Sequence, residues 1–353
     1  MIDSWLSIAS ATGLGQITSN STMPKFVFFD EGPHGHFYGR HLGKGIQGCA
    51  SLVIDPETGY FAVRKEAHSP KANNRSSDCA EIQNALKVQA AGPRCIPRLI
   101  RWARHKHCQT GKSFIVTYWE YYANGTLAEV VDRFVKERVK LPDQWIAFWL
   151  HEMLTAVCIA HDQGIVHTDA HLNNWFIGNE SCSATLPHIV LGDWGLSLRK
   201  RDLTPAEWTR WVVEDFEFVS KGLRSLISAG GGGIDGRLLD INDKLRRNIN
   251  RYHAGPPREL KSAMREVQAA VQRIYGHLRN GNARQISILE MAKKEPKYKA
   301  FNGDAIYHCQ NLEDLKQYEV ATSVPGSTKI KLLGLGPNCS SNYDKVEDAK
   351  APR

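Results

Sequence analysis

Several absences narrow what this chain can be. It contains eight cysteines but no C-x-x-C pair, and the cysteines and histidines between residues 95 and 108 match no structural-zinc spacing. We therefore expect reduced thiols in a reducing compartment. No apolar run is long enough to cross a bilayer, and residues 1–20 lack the basic start and compact apolar core of a signal peptide. These absences predict an intracellular protein, cytoplasmic or nuclear, with no membrane partner.

Positive charge is in excess but is not concentrated. The 353 residues carry 45 Lys and Arg against 37 Asp and Glu, a formal net charge of +8. Such an excess favours phosphate-rich partners, but no run of five basic residues occurs, so we attribute it to scattered, solvated side chains. We predict no nucleic-acid partner. A chain of this length, 42% hydrophobic, is long enough to bury two cores.

Two short segments carry the strongest chemical signal. Residues 164–174 read GIVHTDAHLNN, and residues 189–196 read IVLGDWGL after a gap of unrelated sequence. Together they supply Asp169, Asn174 five residues later, and Asp193 behind an apolar, strand-like run. Phosphoryl transfer needs oxygen ligands fixed around magnesium and a base beside the attacking hydroxyl. This set of residues meets that need.

The order of these residues resembles the H-x-D-x-x-x-x-N and D-F-G motifs of the protein kinase superfamily. The resemblance implies an α+β, two-lobed protein-kinase-like fold, with a small β-rich N-lobe and a larger helical C-lobe. It also implies ATP and Mg²⁺ as cofactors. Asp169 is then the catalytic base, while Asn174 and Asp193 bind the metal. His167 is expected to pack beneath Asp193, and Trp194 takes the place of the usual Phe.

The resemblance extends over roughly residues 38–228 and sets the expected domains. Residues 1–37 form an N-terminal extension, 38–122 the N-lobe, and 123–298 the C-lobe with divergent C-terminal helices. Residues 299–353 form a C-terminal segment. Its tail, from about residue 322, lacks an apolar period and is expected to be disordered.

In the N-lobe, the resemblance assigns a nucleotide site. Gly43, Gly45 and Gly48 lie between two apolar runs, where the absence of Cβ atoms lets backbone amides approach phosphates. Ala62 is expected against the adenine. The phosphate-holding base is Arg64 if the strand alternates regularly, or Lys65 if a bulge turns it inward, because residues two apart share a face. Arg and Lys differ in shape and reach, so this departure from the family motif is not neutral.

Further positions complete the expected nucleotide site. Glu81, on a helix that begins near residue 79, is expected to pair with the phosphate-holding base. Backbone groups near Glu120 and Tyr122 form the hinge that binds the adenine edge, and Phe176 closes the adenine slot from below.

The resemblance weakens after Asp193. Thr168 replaces the Arg that in many kinases pairs with a phosphorylated activation loop, and the segment from Gly195 to Trp208 is short. We therefore expect a constitutive arrangement. Asp215 either braces the catalytic loop from below or is an ordinary exposed acid on a helix. His171 stands where protein kinases often carry Lys or Arg. A His at this position resembles the aminoglycoside- and choline-kinase branch, and we count His171 among the catalytic residues.

Three functions remain open from the sequence. The first is a Ser/Thr protein kinase, with Ser/Thr chosen over Tyr on base rate. The second is a small-molecule kinase, favoured by His171 and the short segment that would cradle a peptide. The third is an ATP-binding pseudokinase scaffold, favoured by Arg64 at the expected Lys position. The predicted partners are ATP and a protein or small-molecule hydroxyl acceptor.

Overall fold

A computed structural model of the protein describes residues 28–29, 36–44, 48–54, 61–67, 80–106, 113–122, 124–178, 186–231, 234–252, 257–290, 319–324 and 327–331. The chain divides into a sheet unit and a helical unit, with boundaries after Asp78, Arg98, Tyr121 and Glu295. The last two boundaries lie close to the expected lobe limits at 122 and 298. The segment 79–98, which we had expected in the N-lobe, groups with the helical unit instead.

The sheet unit is built on one antiparallel sheet with strand order β1-β2-β3-β4-β6-β5. Its strands are β1 (Phe28–Phe29), β2 (His36–Lys44), β3 (Gly48–Ile54), β4 (Phe61–Ala67), β5 (Leu99–Lys106) and β6 (Ser113–Glu120). Regular pairing of β3 with β4 and of β4 with β6 places Val53, Ala62, Val116 and Tyr118 in one buried cluster. Burial of this cluster fixes the register, because a one-residue slip would turn each side chain to the opposite face.

The described residues of the helical unit form seven α-helices and four short strands. The helices are α1 (Ala80–Ala91), α2 (Leu127–Lys136), α3 (Asp143–Asp162), α4 (Pro205–Gly230), α5 (Gly236–Tyr252), α6 (Pro257–Tyr275) and α7 (Ala283–Glu290). The strands are β7 (Ile165–Val166), β8 (Trp175–Ile177), β9 (Ile189–Leu191) and β10 (Leu198–Arg199). β7 pairs with β10, and β8 pairs with β9, both antiparallel. The α+β class is thereby confirmed. None of the described helices combines the length and apolar character needed to span a bilayer.

Helix α3 forms the centre of the helical unit. Six of its apolar residues, which recur at three- and four-residue steps, are buried: Trp145, Trp149, Met153, Ala156, Val157 and Ala160. Phe148, in the same stripe, is half-buried and meets the ring of Tyr275. Ile146, Leu150 and Leu154, on other sides of the helix, are also buried. A helix that is apolar on nearly all sides is a core helix. Because α3 ends at Asp162, it delivers the chain directly to β7 and the loop that follows.

Helix α4 begins with a capping box. The Thr204 side chain accepts a hydrogen bond from the backbone of Glu207, whose carboxylate in turn accepts one from Thr204 N at 2.8 Å, with Pro205 in the first turn. This reciprocal arrangement satisfies backbone donors that a helix start leaves unpaired. The T-P-A-E sequence of residues 204–207, which only weakly resembles the kinase A-P-E motif, therefore marks the start of a helix.

Near the C-terminus, β11 (Glu319–Val324) pairs antiparallel with β12 (Ser327–Lys331). This hairpin differs from the disorder expected from about residue 322. The strands alternate β-branched and other residues around a Pro-Gly dipeptide, which is a common turn sequence. The rest of that tail lies outside the described residues.

His188, just before β9, joins three parts of the helical unit. Its Nδ1 lies 2.6 Å from Glu152 Oε1 on α3, and its Nε2 contacts the carbonyl of Arg94 in the loop after α1. Both partners are acceptors, so only the doubly protonated ring satisfies both. Burial disfavours the charged ring, but the hydrogen bond and charge of Glu152, with the Arg94 carbonyl, outweigh burial and raise the pKa of His188.

We predict that this contact makes stability depend on pH. The pKa of His188 is higher in the folded than in the unfolded state. Its contribution to the free energy of unfolding is therefore complete below about pH 6.5 and declines as pH rises through the folded-state pKa. When the free energy of unfolding is measured in urea from pH 5.5 to 9, His188→Gln should be less stable than wild type by about 1 to 3 kcal/mol at the acidic end. The difference from wild type should narrow towards pH 9. A difference that is constant across this range would contradict the assignment.

Candidate active site

The loop between β7 and β8 is fixed from below by a buried carboxylate. Asp215, fully buried on α4, accepts hydrogen bonds from the backbone N–H groups of His167 at 2.9 Å and Thr168 at 2.7 Å. Its Oδ2 also lies 2.8 Å from His161 Nε2, at the end of α3. A buried carboxylate requires such hydrogen-bond partners, because burial without them carries a large free-energy penalty. Asp215 is therefore not an exposed helical acid, and it braces the backbone of this loop.

His167 links the two motifs that the sequence analysis singled out. Its Nε2 donates to the carbonyl of Gly192 at 2.9 Å, and its Nδ1 accepts from the backbone N–H of Asp169 at 3.3 Å. The ring is fully buried and meets Trp194 edge-on, with centroids 4.7 Å apart. One imidazole therefore ties the backbone of Asp169 to the residue that precedes Asp193.

The protonation state of His167 fits these bonds. Burial lowers its pKa, and the opposing influences of Asp215, the Gly192 carbonyl, Asp193 and Asp169 do not overcome burial. A neutral ring has one donor and one acceptor nitrogen, which matches the two partners in place. The carboxylates of Asp169 and Asp193 both lie close enough to this ring to influence its pKa.

Asn174 braces Asp169 as expected. Its Nδ2 donates to the Asp169 carbonyl at 2.8 Å and to Asp169 Oδ2 at 3.2 Å. The short 3-10 turn Leu172–Asn174 holds it in place, and its own carbonyl accepts from Gly192 N at 2.8 Å. No described residue donates to the remaining amide oxygen, Oδ1. That oxygen, with a carboxylate, is the kind of ligand that Mg²⁺ prefers.

Asp193 adopts a backbone conformation that few non-glycine residues take. Its φ is 57° and its ψ is 65°, in the left-handed region, while its side chain is exposed. Trp194 anchors the next turn, since its Nε1 donates to the Leu191 carbonyl at 2.8 Å. On the other side, a Cβ at Gly192 would lie 2.5 Å from the ring of Phe176, so this position excludes a side chain. Such outliers concentrate at functional sites.

His171 lies beside the expected base. Its Nε2 is 3.4 Å from Asp169 Oδ1, and its ring meets Phe218 of α4 edge-on at 6.3 Å. Its Nδ1 is buried and has no hydrogen-bond partner among the residues that the structure describes. His171 is therefore in direct reach of the Asp169 carboxylate.

Phe176 and Tyr122 form an aromatic pair in the helical unit. Their rings stack with centroids 6.2 Å apart and an angle of 26° between the planes. The segment after Tyr122 is fastened to β8, because Ile177 N donates to the Gly125 carbonyl at 2.9 Å and Asn124 Nδ2 donates to the Gly178 carbonyl at 2.5 Å. This pair contains the residue expected to close the adenine slot.

In the sheet unit, Gly43 and Gly48 lie at the facing ends of β2 and β3, where Gly43 is opposite Ala50. Gly45 lies outside the described residues. Ala62 is buried on β4 opposite Glu120, the last residue of β6. These positions follow the order that the resemblance requires.

The two candidate phosphate-holding bases differ in burial. β4 pairs regularly with both neighbours, so no bulge turns Lys65 inward, and Lys65 is half-buried. Arg64 is 3% exposed and its guanidinium bonds to Glu66 Oε2 at 2.9 Å. Alternation therefore places Arg64 on the face of Ala62, which is the alternative that the sequence analysis favoured.

Helix α1 is joined to the segment after Trp194 by a group of polar side chains that we call the α1 latch: Asn84, Ser197 and Arg199. The buried Asn84 Nδ2 donates to Ser197 Oγ at 2.9 Å, and its Oδ1 accepts from Arg199 Nε at 2.6 Å. Ser197 Oγ also donates to the Trp194 carbonyl at 2.6 Å. Glu81 lies in the first turn of the same helix.

Thr168 supports the same segment from the catalytic loop. Its φ of 69° is unusual for a β-branched residue, and its Oγ1 donates to the Leu196 carbonyl at 3.0 Å. The position that carries Arg in many kinases thus makes a direct contact with the segment after Trp194.

Sequence reasoning missed the α1 latch and His161. Asn84 is more than a hundred positions from Ser197 and Arg199, and neither periodicity nor a motif marks these residues. His161 carried a weak signal, since it ends an apolar helix and comes six residues before His167. Only the fold shows that both approach Asp215.

Comparisons with known proteins agree with this geometry. The family model "protein kinase domain" matches residues 38–215. Among curated relatives, serine/threonine-protein kinase RIM15 of Saccharomyces cerevisiae is 30% identical over 158 residues, which is 44% of this chain and 8% of that protein. Human serine/threonine-protein kinase MRCK gamma is 26% identical over 160 residues, 45% of this chain and 9% of that protein. Mouse serine/threonine-protein kinase PLK2 is 25% identical over 221 residues, covering 56% of this chain and 30% of that protein.

The chain therefore spans only a small part of these relatives. Among solved structures, the BubR1 kinase domain matches with a TM-score of 0.52 and 14% identity, covering 82% of this chain and 95% of that one. The family match, which covers half of the chain, and the shared fold lead to one conclusion: the chain belongs to the protein kinase superfamily.

Proposed function

We propose that this protein is a Mg²⁺- and ATP-dependent protein kinase that phosphorylates Ser or Thr hydroxyls. The observation that carries the proposal is the His167 ring, which binds the backbone of Asp169 on one side and the carbonyl before Asp193 on the other. This arrangement supports a base and a metal ligand held at fixed positions. Positioning and charge stabilisation supply most of the catalysis in phosphoryl transfer.

Each side chain has a distinct role in this proposal. Asp169 accepts the proton as the acceptor hydroxyl oxygen bonds to phosphorus and the terminal phosphoanhydride bond breaks. Asn174 keeps Asp169 in place through Nδ2 and offers Oδ1 to the metal, and Asp193 offers its exposed carboxylate. When bound, Mg²⁺ neutralises charge that develops on the phosphates. His171, beside Asp169, is assigned to the transferring phosphoryl group.

The remaining nucleotide contacts are assigned by resemblance to the family. Gly43, Gly45 and Gly48 receive the phosphates, Arg64 holds them, and Ala62, Phe176 and the backbone near Glu120 and Tyr122 receive the adenine. Glu81 is assigned to orient the phosphate-holding base.

We predict that Asp193→Ala abolishes transfer and that Asp169→Asn lowers kcat about 100- to 10,000-fold, with a smaller change in KM for ATP, because the base acts on the chemical step. The measurement is transfer of labelled phosphate from ATP with Mg²⁺ to a Ser/Thr peptide library and to a panel of hydroxyl-bearing metabolites. Asp240→Asn, an exposed acid on α5, is the matched control and should retain wild-type activity.

The acceptor panel separates this proposal from its alternatives. Transfer to metabolites alone would favour a small-molecule kinase, a candidate supported by His171 beside Asp169 and by the short segment before α4. Nucleotide binding without transfer by wild type would favour a pseudokinase, a candidate supported by Arg64. Testing Arg64→Met beside Lys65→Met then identifies the phosphate-holding base, and we expect the larger loss of ATP affinity from Arg64→Met.

We further propose that the active arrangement is constitutive. The α1 latch holds helix α1 against the segment after Trp194 by neutral and guanidinium hydrogen bonds, without a phosphate group. The Thr168 hydroxyl fastens the same segment from the other side. No phosphate-binding Arg is present at position 168, so phosphorylation of this segment has no obvious role.

We predict that Asn84→Leu lowers kcat about tenfold, because the buried Ser197 and the half-buried Arg199 lose hydrogen bonds worth about 1 to 3 kcal/mol. Gln83→Leu is the control, since it removes only the exposed 2.7 Å bond from Arg199 and should change kcat less than about twofold. Phosphatase treatment of wild type should leave kcat unchanged. A large loss of activity after phosphatase treatment would instead show that phosphorylation sets the active state.

A further inference from the structure

An open groove lies between α2 and α4 on the helical unit, with a volume of about 480 Å³. Its apolar lining comes from Val131, Val135 and Ala229. Val135 is 59% exposed and Val131 is half-buried, whereas Leu127, Val130 and Phe134 of the same helix are buried. We call this feature the α2–α4 groove.

The polar lining of the α2–α4 groove is basic. Lys221 and Arg224 line it, together with Ser225 and Ser228, and no carboxylate is among its lining residues. Lys221 pairs with Glu217 at 3.5 Å, which offsets part of its charge. Arg224 is exposed and has no acidic partner in the described ranges, so the groove keeps a net positive charge.

One residue that lines the groove approaches an aromatic ring that His171 also contacts. His171, beside Asp169, meets the ring of Phe218, and the Lys221 ammonium lies 5.5 Å from the centre of that same ring. Along α4 the rise is roughly 1.5 Å per residue, so Arg224 lies about 9 Å beyond Phe218. An extended peptide advances about 3.3 Å per residue. A side chain about three to six residues from an acceptor hydroxyl at Asp169 therefore reaches this basic stretch.

We propose that the α2–α4 groove docks the acceptor polypeptide, and that it selects substrates with Asp or Glu about three to six residues from the acceptor hydroxyl. This inference rests on the proposed kinase function and names its substrate class. Carboxylates complement Lys221 and Arg224, while apolar residues between them cover Val131 and Val135. A second copy of a chain with net charge +8 is repelled, and residues 343–353 carry three acids against three bases, so neither offers this complementarity.

The test compares two synthetic peptides on the full-length protein. One carries a central Ser with Glu at positions three to six on both sides, and the other replaces each Glu with Gln. Binding is measured by fluorescence anisotropy without ATP, and transfer is measured separately with labelled ATP. We expect the acidic peptide to bind and react about tenfold better than its amide counterpart at low salt, and to lose the advantage as salt increases.

Charge reversal locates the site. Lys221→Glu with Arg224→Glu should remove the preference for the acidic peptide, a loss of about tenfold or more. Arg258→Glu with Arg273→Glu, two exposed bases on α6, makes the same charge change elsewhere and should leave the preference intact. Circular dichroism verifies that the doubly reversed variant is folded.

The outcomes distinguish failure of docking from failure of the proposed function. Equal use of both peptides by an active enzyme, or a preference that survives charge reversal, overturns the docking proposal alone. Arg224-dependent binding of the acidic peptide without transfer to any acceptor supports docking and overturns the kinase function. Tighter Arg224-dependent binding of a single-stranded oligonucleotide than of the acidic peptide overturns the choice of a polypeptide partner.

Discussion

The candidate site depends on the buried carboxylate of Asp215. It holds two consecutive backbone N–H groups, those of His167 and Thr168, and approaches His161 at the end of α3. Backbone donors pinned in this way leave the following residue, Asp169, little freedom. A fully buried carboxylate persists only if its bonds are made, because breaking a buried ionic or hydrogen-bonded group costs several kcal/mol. The stability of the helical unit and the geometry of the loop are therefore maintained by the same side chain.

The His167 ring connects the loop held by Asp215 to the second motif, which contains Asp193. His167 receives the backbone N–H of Asp169 and donates to Gly192, and Trp194 packs on its edge. The strained backbone of Asp193 is then held between Gly192, which fits closely against Phe176, and the Trp194 side chain. Beyond it, the α1 latch and Thr168 fix the short segment that leads to α4. The site is thus supported on both sides by contacts within one compact unit.

Much of this arrangement was predictable from the sequence because it follows short-range patterns. The apolar period of α3, the spacing from Asp169 to Asn174, and the apolar run before Asp193 are all local signals. The bracing by Asp215 was open from the sequence, since most acids on helices are solvent-exposed. The α1 latch and the His188 contact were not predictable, because they join single polar side chains far apart in the chain. The hairpin formed by β11 and β12 was not predicted, because β-branched residues alternate there over only a few positions and give no clear apolar period.

The central claim is that Asp215 positions the catalytic loop for phosphoryl transfer. Its most direct test is single-turnover transfer from ATP by Asp215→Asn, since an amide has one acceptor oxygen and its NH₂ group would face a backbone N–H. We expect the rate to fall about 100-fold or more while circular dichroism retains the wild-type helix content, with Asp240→Asn unaffected. A folded Asp215→Asn protein that transfers phosphate at the wild-type rate would contradict the claim.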